Sequence, residues 1–552
     1  MREIVPIKDD ATVLAALGHK EELNRQFTPF SMAANAIITA SAWVRPPKLP
    51  RDLVLHPLKV AWKLTRAQTA IIGTFITSIY NGGAAGMIYA WIVDNFFFLF
   101  IALSMAELTS AMPTAAGVYH WSAALAGPKY SRPVGFLTGY FNMLGWTLGL
   151  ASLYSVAGLE VTGLYQLYHP EYISQPWHVF VVFVVLNWSF AAFIQFGNKI
   201  LPYYTKFGLF VNVGAWFTII VCLAVLPKSH STSSFVWTEY TNSTGWPTGM
   251  SFILGLVAPA FSIGTIDSST HMAEEVPNPS KNIAKTVMIQ WFGSFAMGFC
   301  LLIALFYAAG DLDTIMTASE DNFPVAGIMK IAFADTRSAF ACGLVIFLAA
   351  IPGCIGAQIA TVRCVWAFAR DGALPFSDFF SKIDEQNVMP ARANILITLI
   401  STALGALYVA STVAFNALVA SYAVMSSTSY GIAIAVHFFT GRKRAAPGWF
   451  YLGDGIVGYA VNAVALIYIF VSNVFFCLPY DRPPVTATDM NYTSLVSYGM
   501  AILVVIWWFI GGSRIYKGPK LSSETYEVLE RLADSGTTVE NVQVQPREKA
   551  DA

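Results

Sequence analysis

The chain has 552 residues, 55% of them hydrophobic and only 12% charged, with mean hydropathy +0.55 and Lys+Arg balanced against Asp+Glu at 33 each. Water-soluble domains carry roughly 25% charged residues, so this composition excludes a globular core solvated by water and makes lipid the expected solvent. The charge balance gives no reason to expect nucleic acid as a partner.

Residues 1–28 are polar and read as a cytoplasmic tail. No short apolar leader with a small-residue cleavage site opens the chain, so the first span is expected to act as an uncleaved anchor. Apolar stretches of bilayer-crossing length come after it at 70–89, 90–108, 134–160, 177–196, 204–226, 248–270, 285–309, 338–367, 392–410, 414–438, 453–478 and 495–512, about twelve in all. The fold class read from this pattern is an all-α polytopic membrane protein, with a transmembrane domain over 29–512. The tail from 513 to 552 is charged and poor in aromatics, as a solvated segment would be.

Orientation follows from the positive-inside rule. With the N-terminus inside, even-numbered spans return to loops holding Lys129 and Arg132, Lys281 and Lys285, Arg370 and Lys382, and Arg442-Lys443-Arg444. Both termini are then cytoplasmic. Two N-x-[ST] sequons, at Asn242 and Asn491, fall on the expected outside as glycosylation candidates. The six cysteines lie in or beside apolar runs, form no C-x-x-C pair, and read as small buried hydrophobes.

The sixth span is interrupted. Pro259 removes a backbone donor, Gly264 weakens the helix, and Asp267 with three hydroxyl residues comes next, as at the start of a second half-helix. Unwinding is expected around Ala260–Gly264. A break at membrane depth exposes N–H, C=O and dipole ends that suit a small polar ligand. Asp267 has two readings: counter-charge to a cationic amine, or a local helix cap. Asp94 and Glu160 are further carboxylates within apolar stretches. Trp146 and Tyr154 lie two turns apart on nearly one face of the third span, where they either pack or wall an alkyl-ammonium group.

The run Ala106-Glu107-Leu108 with Met112-Pro113-Thr114-Ala115-Ala116-Gly117-Val118-Tyr119-His120-Trp121 resembles the end of span two in the amino acid–polyamine–organocation superfamily. Gly135–Asn142 resembles its third span. His271-Met272-Ala273-Glu274-Glu275-Val276-Pro277-Asn278-Pro279 resembles its signature after span six, and Ala367–Pro375 its signature after span eight. The likeness covers roughly 70–510 and points to the fungal amino acid/choline branch, which includes choline and GABA permeases; Asp267 and the Thr270–Glu275 stretch resemble the choline permeases in particular. It implies a five-plus-five inverted-repeat core with spans one and six broken, two added spans, and alternating access driven by an ion gradient, usually protons. It also implies substrate contacts on Phe261, Ser262, Ile263 and Gly264, with Phe261 as an aromatic gate. Glu107, Glu274, Glu275, Arg370 and Asp371 become gating or loop-locking residues. The residues alone read Arg370-Asp371-Gly372 as a loop Arg followed by turn chemistry.

One departure stands out. Span one starts well from Phe27 to Trp43, then gives way to a basic, proline-rich stretch, Val44–Gln68, before the expected second half resumes at Thr69 and runs to Gly82-Gly83. Joining Trp43 to Thr69 restores an uninterrupted family-like helix and would bring Ser41, Trp43 and Thr69 to the substrate turn. Charges at mid-bilayer cost several kcal/mol each, so Val44–Gln68 reads as translated intron, with a genuine loop insertion that damages or regulates transport as the alternative.

The expected function is import of a small amine or amino acid (choline, GABA or a relative) across a membrane, the plasma membrane by expectation. No cofactor is expected beyond a proton gradient, and no partner beyond substrate and lipid bilayer. A non-transporting nutrient sensor of the same fold is the alternative, less favoured by short tails. No H-E-x-x-H, G-x-S-x-G or P-loop sequence is present, so an enzyme is not expected.

Overall fold

The computed structural model describes residues 27–40, 67–197, 199–311, 323–384, 389–410, 413–479, 481–484, 486 and 490–519. Within them the chain is helical throughout, apart from one isolated bridge between Asp384 and Met389. Helices satisfy their own backbone in lipid, which is why apolar runs of this length take that form.

The helices are α1 (Pro29–Ala40), α2 (Ala67–Ala111), α3 (Val118–Ala126), α4 (Ser131–Tyr168), α5 (Pro176–Phe196), α6 (Leu201–Val225), α7 (Ser233–Trp237), α8 (Thr248–Gly255), α9 (Val257–Ile263), α10 (Pro279–Ala309), α11 (Pro324–Phe333), α12 (Thr336–Arg370), α13 (Ser377–Phe380), α14 (Ala391–Ala410), α15 (Val413–Phe439), α16 (Ile456–Phe475) and α17 (Thr493–Trp507). A π-turn, Trp508–Gly512, carries α17 into a last helical turn, α18 (Ser513–Ile515), so the helix ends just past the expected boundary at 512. Ten helices are long and apolar enough to cross a membrane. These ten are counted among the described residues, against about twelve expected, and α8 with α9 adds an interrupted apolar stretch over Thr248–Ile263. The protein is an integral multi-pass membrane protein.

The division between the first two full stretches lies at the Gly82-Gly83 end expected for span one and not at the 89/90 of the hydropathy pattern. It falls at Gly83 (φ 65°, ψ −159°), inside the long α2. Only glycine takes this backbone readily. The carbonyls released by the break are taken up locally: Asn81 O accepts from the Tyr240 hydroxyl at 2.6 Å and from Ser251 Oγ at 2.7 Å, and Tyr80 O from the Ser243 N–H at 3.0 Å. Hydropathy does not register such a break, because both sides are apolar.

α4 and α15 pack along one another at the centre, with α12 and the short α3 against α4, while α1 packs on α6 and α10. α17 lies at the edge and exposes Leu495, Ile502, Leu503 and Ile506. Among the described residues the cysteines are free. Cys342, Cys354 and Cys364 are buried as expected, but Cys300 is exposed on α10, because that face of the helix looks outward. The insert Val44–Gln68 lies outside the described residues except for Ala67 and Gln68, which already belong to α2.

A candidate substrate site and its closure

The interruption of the sixth span comes from two residues acting at different places. Pro259 has no N–H to offer the Gly255 carbonyl, and α8 ends at Gly255. It then sits in the first turn of α9, where a missing donor is no loss. The helix therefore runs on to Ile263 and opens over Gly264–Ser269, later than the expected Ala260–Gly264. Beyond the opening the chain forms a single 3₁₀ turn, Thr270–Glu275, instead of a second α-helical half. Gly264 is held by packing: a Cβ there would lie 2.8 Å from Tyr422 Oη.

Asp267 lies in this open segment and is fully buried. Its Oδ2 accepts from Asn142 Nδ2 at 2.7 Å and from the Trp146 indole N–H at 3.1 Å, and lies 3.2 Å from His271 Nε2. Its Oδ1 accepts from the Tyr430 hydroxyl at 2.6 Å. The carboxylate thus ties α4, α15 and the 3₁₀ turn together, and no side-chain cap forms on that turn. The cap reading of Asp267 is replaced by a cross-helix knot. Phe261 packs edge-on against Tyr422 at 5.3 Å. Ser262 donates to the Ala258 carbonyl at 2.9 Å, and Ile263 is buried in the core. Beside the break, Ala260, Gly264, Ser426, Tyr430, Tyr468 and Ser472 enclose about 10 Å³, the room of one water molecule. The break is closed around in this conformation.

The structure separates the two aromatics of the third span. Trp146 points at Asp267, whereas Tyr154 donates to Gln358 and packs on Phe183 and Phe190. Ser41 and Trp43 lie outside the described residues, and Thr69 lies in the first turn of α2. Asp94 accepts from Tyr468, and Glu160 is buried with no hydrogen-bond donor to either oxygen among the described residues.

At the basic end of the bundle every carboxylate singled out from the sequence has a partner. Glu274 takes both terminal nitrogens of Arg370, each at 3.0 Å, and the Ala115 N–H at 3.3 Å. Glu275 pairs with buried Arg363, with Nη2 to Oε2 at 3.0 Å. Glu107 accepts from Arg442 at 2.6 Å and the Leu452 N–H at 3.1 Å, and Asp371 accepts from the Tyr119 hydroxyl at 2.9 Å. Arg370 differs from the loop reading: it is the last residue of α12, and the turn comes after it at Gly372 (φ 80°). Sequence reasoning quoted Arg442, Tyr119, Asn142 and His271 without these partners and did not single out Arg363 or Tyr430; only the fold supplies the partner of each.

At the opposite end, Asn242 is half-buried and donates to the Trp246 carbonyl at 2.6 Å. Asn491 is buried, and its Nδ2 donates to the Phe476 and Leu478 carbonyls at 2.8 and 2.7 Å.

The family profile described as amino acid permease matches residues 64–509. The chain belongs to the amino acid permease family. The matched stretch starts after α1 and most of the insert. A choline transporter of Saccharomyces cerevisiae is 32% identical over 467 residues, covering 84% of this permease and 80% of the relative. The amino-acid permease BAT1 of Arabidopsis thaliana is 26% identical over 542 residues, 94% and 98% of the two chains. An uncharacterized amino-acid permease of Schizosaccharomyces pombe is 26% identical over 539 residues, 97% and 89%.

Proposed function

We propose that this permease is a secondary active importer of a small amine or amino acid, working by proton-coupled alternating access around the break at Gly264–Ser269. The observation that carries the reading is Asp267: a buried carboxylate placed beside an open helix segment in the middle of a lipid-embedded bundle. Trp146 and Tyr430 contact it, and the Tyr422 hydroxyl and Phe261 border the same segment at Gly264. Aromatic faces with one acid suit an alkyl-ammonium group, and the likeness to a choline transporter supports that class. A zwitterion such as GABA would in addition use the N–H groups of the break for its carboxylate.

On this reading the basic end is cytoplasmic, with both tails inside and the plasma membrane as the site of action. The Glu274–Arg370, Glu275–Arg363 and Glu107–Arg442 pairs hold that end shut while substrate enters from the other side. Val44–Gln68 is retained intron, absent from the transporting form.

Uptake of labelled choline and labelled GABA across external pH, in cells deficient in both activities, tests the function. Saturable choline uptake that rises as external pH falls and that GABA does not compete fits a proton-coupled cation carrier. GABA uptake instead moves the emphasis to the N–H groups of the break. Neither uptake, with both the full chain and the chain lacking 44–68 shown at the surface, would rule out both of these substrates and raise the sensor reading.

A further inference from the structure

His271 stands between two acceptors. Its Nδ1 lies 3.1 Å from the Ala115 carbonyl oxygen and its Nε2 lies 3.2 Å from Asp267 Oδ2. A backbone carbonyl only accepts, so Nδ1 carries a hydrogen. Oδ2 receives the Trp146 indole and the Asn142 amide, so on its Nε2 side too the ring faces an acceptor, the geometry that suits an imidazole donating from both nitrogens. An imidazole that donates from both nitrogens is an imidazolium.

The same ring is a link in a longer chain. Ala115, whose carbonyl takes Nδ1, gives its own N–H to Glu274 Oε1, and Glu274 grips Arg370. A continuous run of bonds therefore joins Tyr430, whose hydroxyl oxygen also lies 2.8 Å from the Gly264 carbonyl oxygen, through Asp267, His271, Ala115 and Glu274 to Arg370 at the basic end. The 113–117 loop is pressed onto the turn: a Cβ on Gly117 would sit 3.0 Å from Thr270 Oγ1 and 3.5 Å from His271 Cε1.

We propose that His271 is the proton-binding site of the permease, that its imidazolium latches the basic end shut, and that a cationic headgroup reaching Asp267 expels this proton and releases the latch. The proposal rests on the proton-coupled reading above and names the site of coupling. The balance is simple. The proton leaves Nε2 for water at the basic end, its electron pair stays on nitrogen, and the headgroup replaces the lost positive charge beside Asp267. Neutral imidazole keeps Nδ1–H for Ala115 but turns a lone pair towards Oδ2, and that contact opens. The groups around the Asp267–His271 pair are Asn142 and Trp146 from α4, Tyr422 and Tyr430 from α15 and Cys364 from α12. The cations beyond, Arg363 and Arg370, are each taken by their own carboxylate.

The test uses the full chain in lipid nanodiscs with ¹⁵N-labelled histidine, without substrate and without a gradient. His271→Gln assigns the ring signals by their loss. The expected spectrum at neutral pH shows both His271 nitrogens protonated. Hydrogen–deuterium exchange at one fixed pH then compares His271→Gln with the unaltered chain. Exchange in 113–118 and 270–276 is expected to rise about tenfold or more, the effect of losing one charge-assisted hydrogen bond. A bare Nε2 at neutral pH, or a variant whose latch exchanges as slowly as the parent, overturns the proposal. Proton movement with substrate in proteoliposomes is a separate measurement. Its absence would remove the proton-coupled reading, while the spectrum and the exchange would still decide the state of His271 and its hold on the loop.

Discussion

Gly264 and the Glu275–Arg363 pair show how little slack surrounds the break. A methyl group at Gly264 would meet Tyr422 Oη at 2.8 Å and the Ala260 carbonyl at 2.9 Å. Gly264→Ala is therefore expected to cost about 1–3 kcal/mol by overpacking, read as a lower unfolding temperature of the purified permease, and to reduce uptake. Adding Tyr422→Phe removes one of the two clashes and should restore part of both. Arg363 and Glu275 are buried together, so truncating either leaves a bare charge. Arg363→Ala is expected to destabilise by about 3–5 kcal/mol, and the double variant Arg363→Met with Glu275→Met by less than Arg363→Ala alone; equal losses would show that the pair is solvated. At this scale the sequence revealed which residue types were unusual and little of what they do. Asp267 stands out because a carboxylate in an apolar run is rare. Asn142 and Tyr430 do not stand out, since their bonds to Asp267 span 125 and 163 residues of chain, and no local pattern encodes that distance.

The same limit governs the elements. Long apolar runs announce helices, and the expected spans coincide with them because lipid leaves the backbone no alternative. Breaks are harder to place. Pro259 marked the sixth span, but the open segment begins at Gly264, because a proline in the first turn of a helix disrupts the residues before it and not those after. Gly82-Gly83 is the expected end of span one, and Gly83 takes the backbone that ends one span and begins the next, whereas the hydropathy pattern alone puts that division at 89/90. Its φ of 65° with ψ of −159° lies outside the left-handed helical region where asparagine is tolerated. Gly83→Ala and Gly83→Asn should therefore both cost about 1–3 kcal/mol. A variant with asparagine as stable as the parent in thermal unfolding would mean that the break relaxes to a left-handed turn.

For the molecule as a whole, the stretch that departs from the apolar pattern of its spans is Val44–Gln68. The family match begins at residue 64, α1 lies ahead of it, and α1 nevertheless packs onto α6 and α10 within the bundle. The helix before the insert is thus part of the same bundle as the helices after it. The insert holds six Lys or Arg and one Asp. At the centre of a span each such cation costs about 2.5–3.5 kcal/mol even on insertion scales, about 15–21 kcal/mol for six, which is as large as or larger than a domain's whole margin of about 5–15 kcal/mol. Two chains, with and without 44–68, expressed to equal surface amounts, should differ in substrate uptake, with the shorter chain the more active. Transcripts read across the Trp43/Thr69 junction should then contain the spliced form. Equal uptake by both chains, with uniformly unspliced messages, would make the stretch a genuine loop that the permease accommodates outside the bilayer.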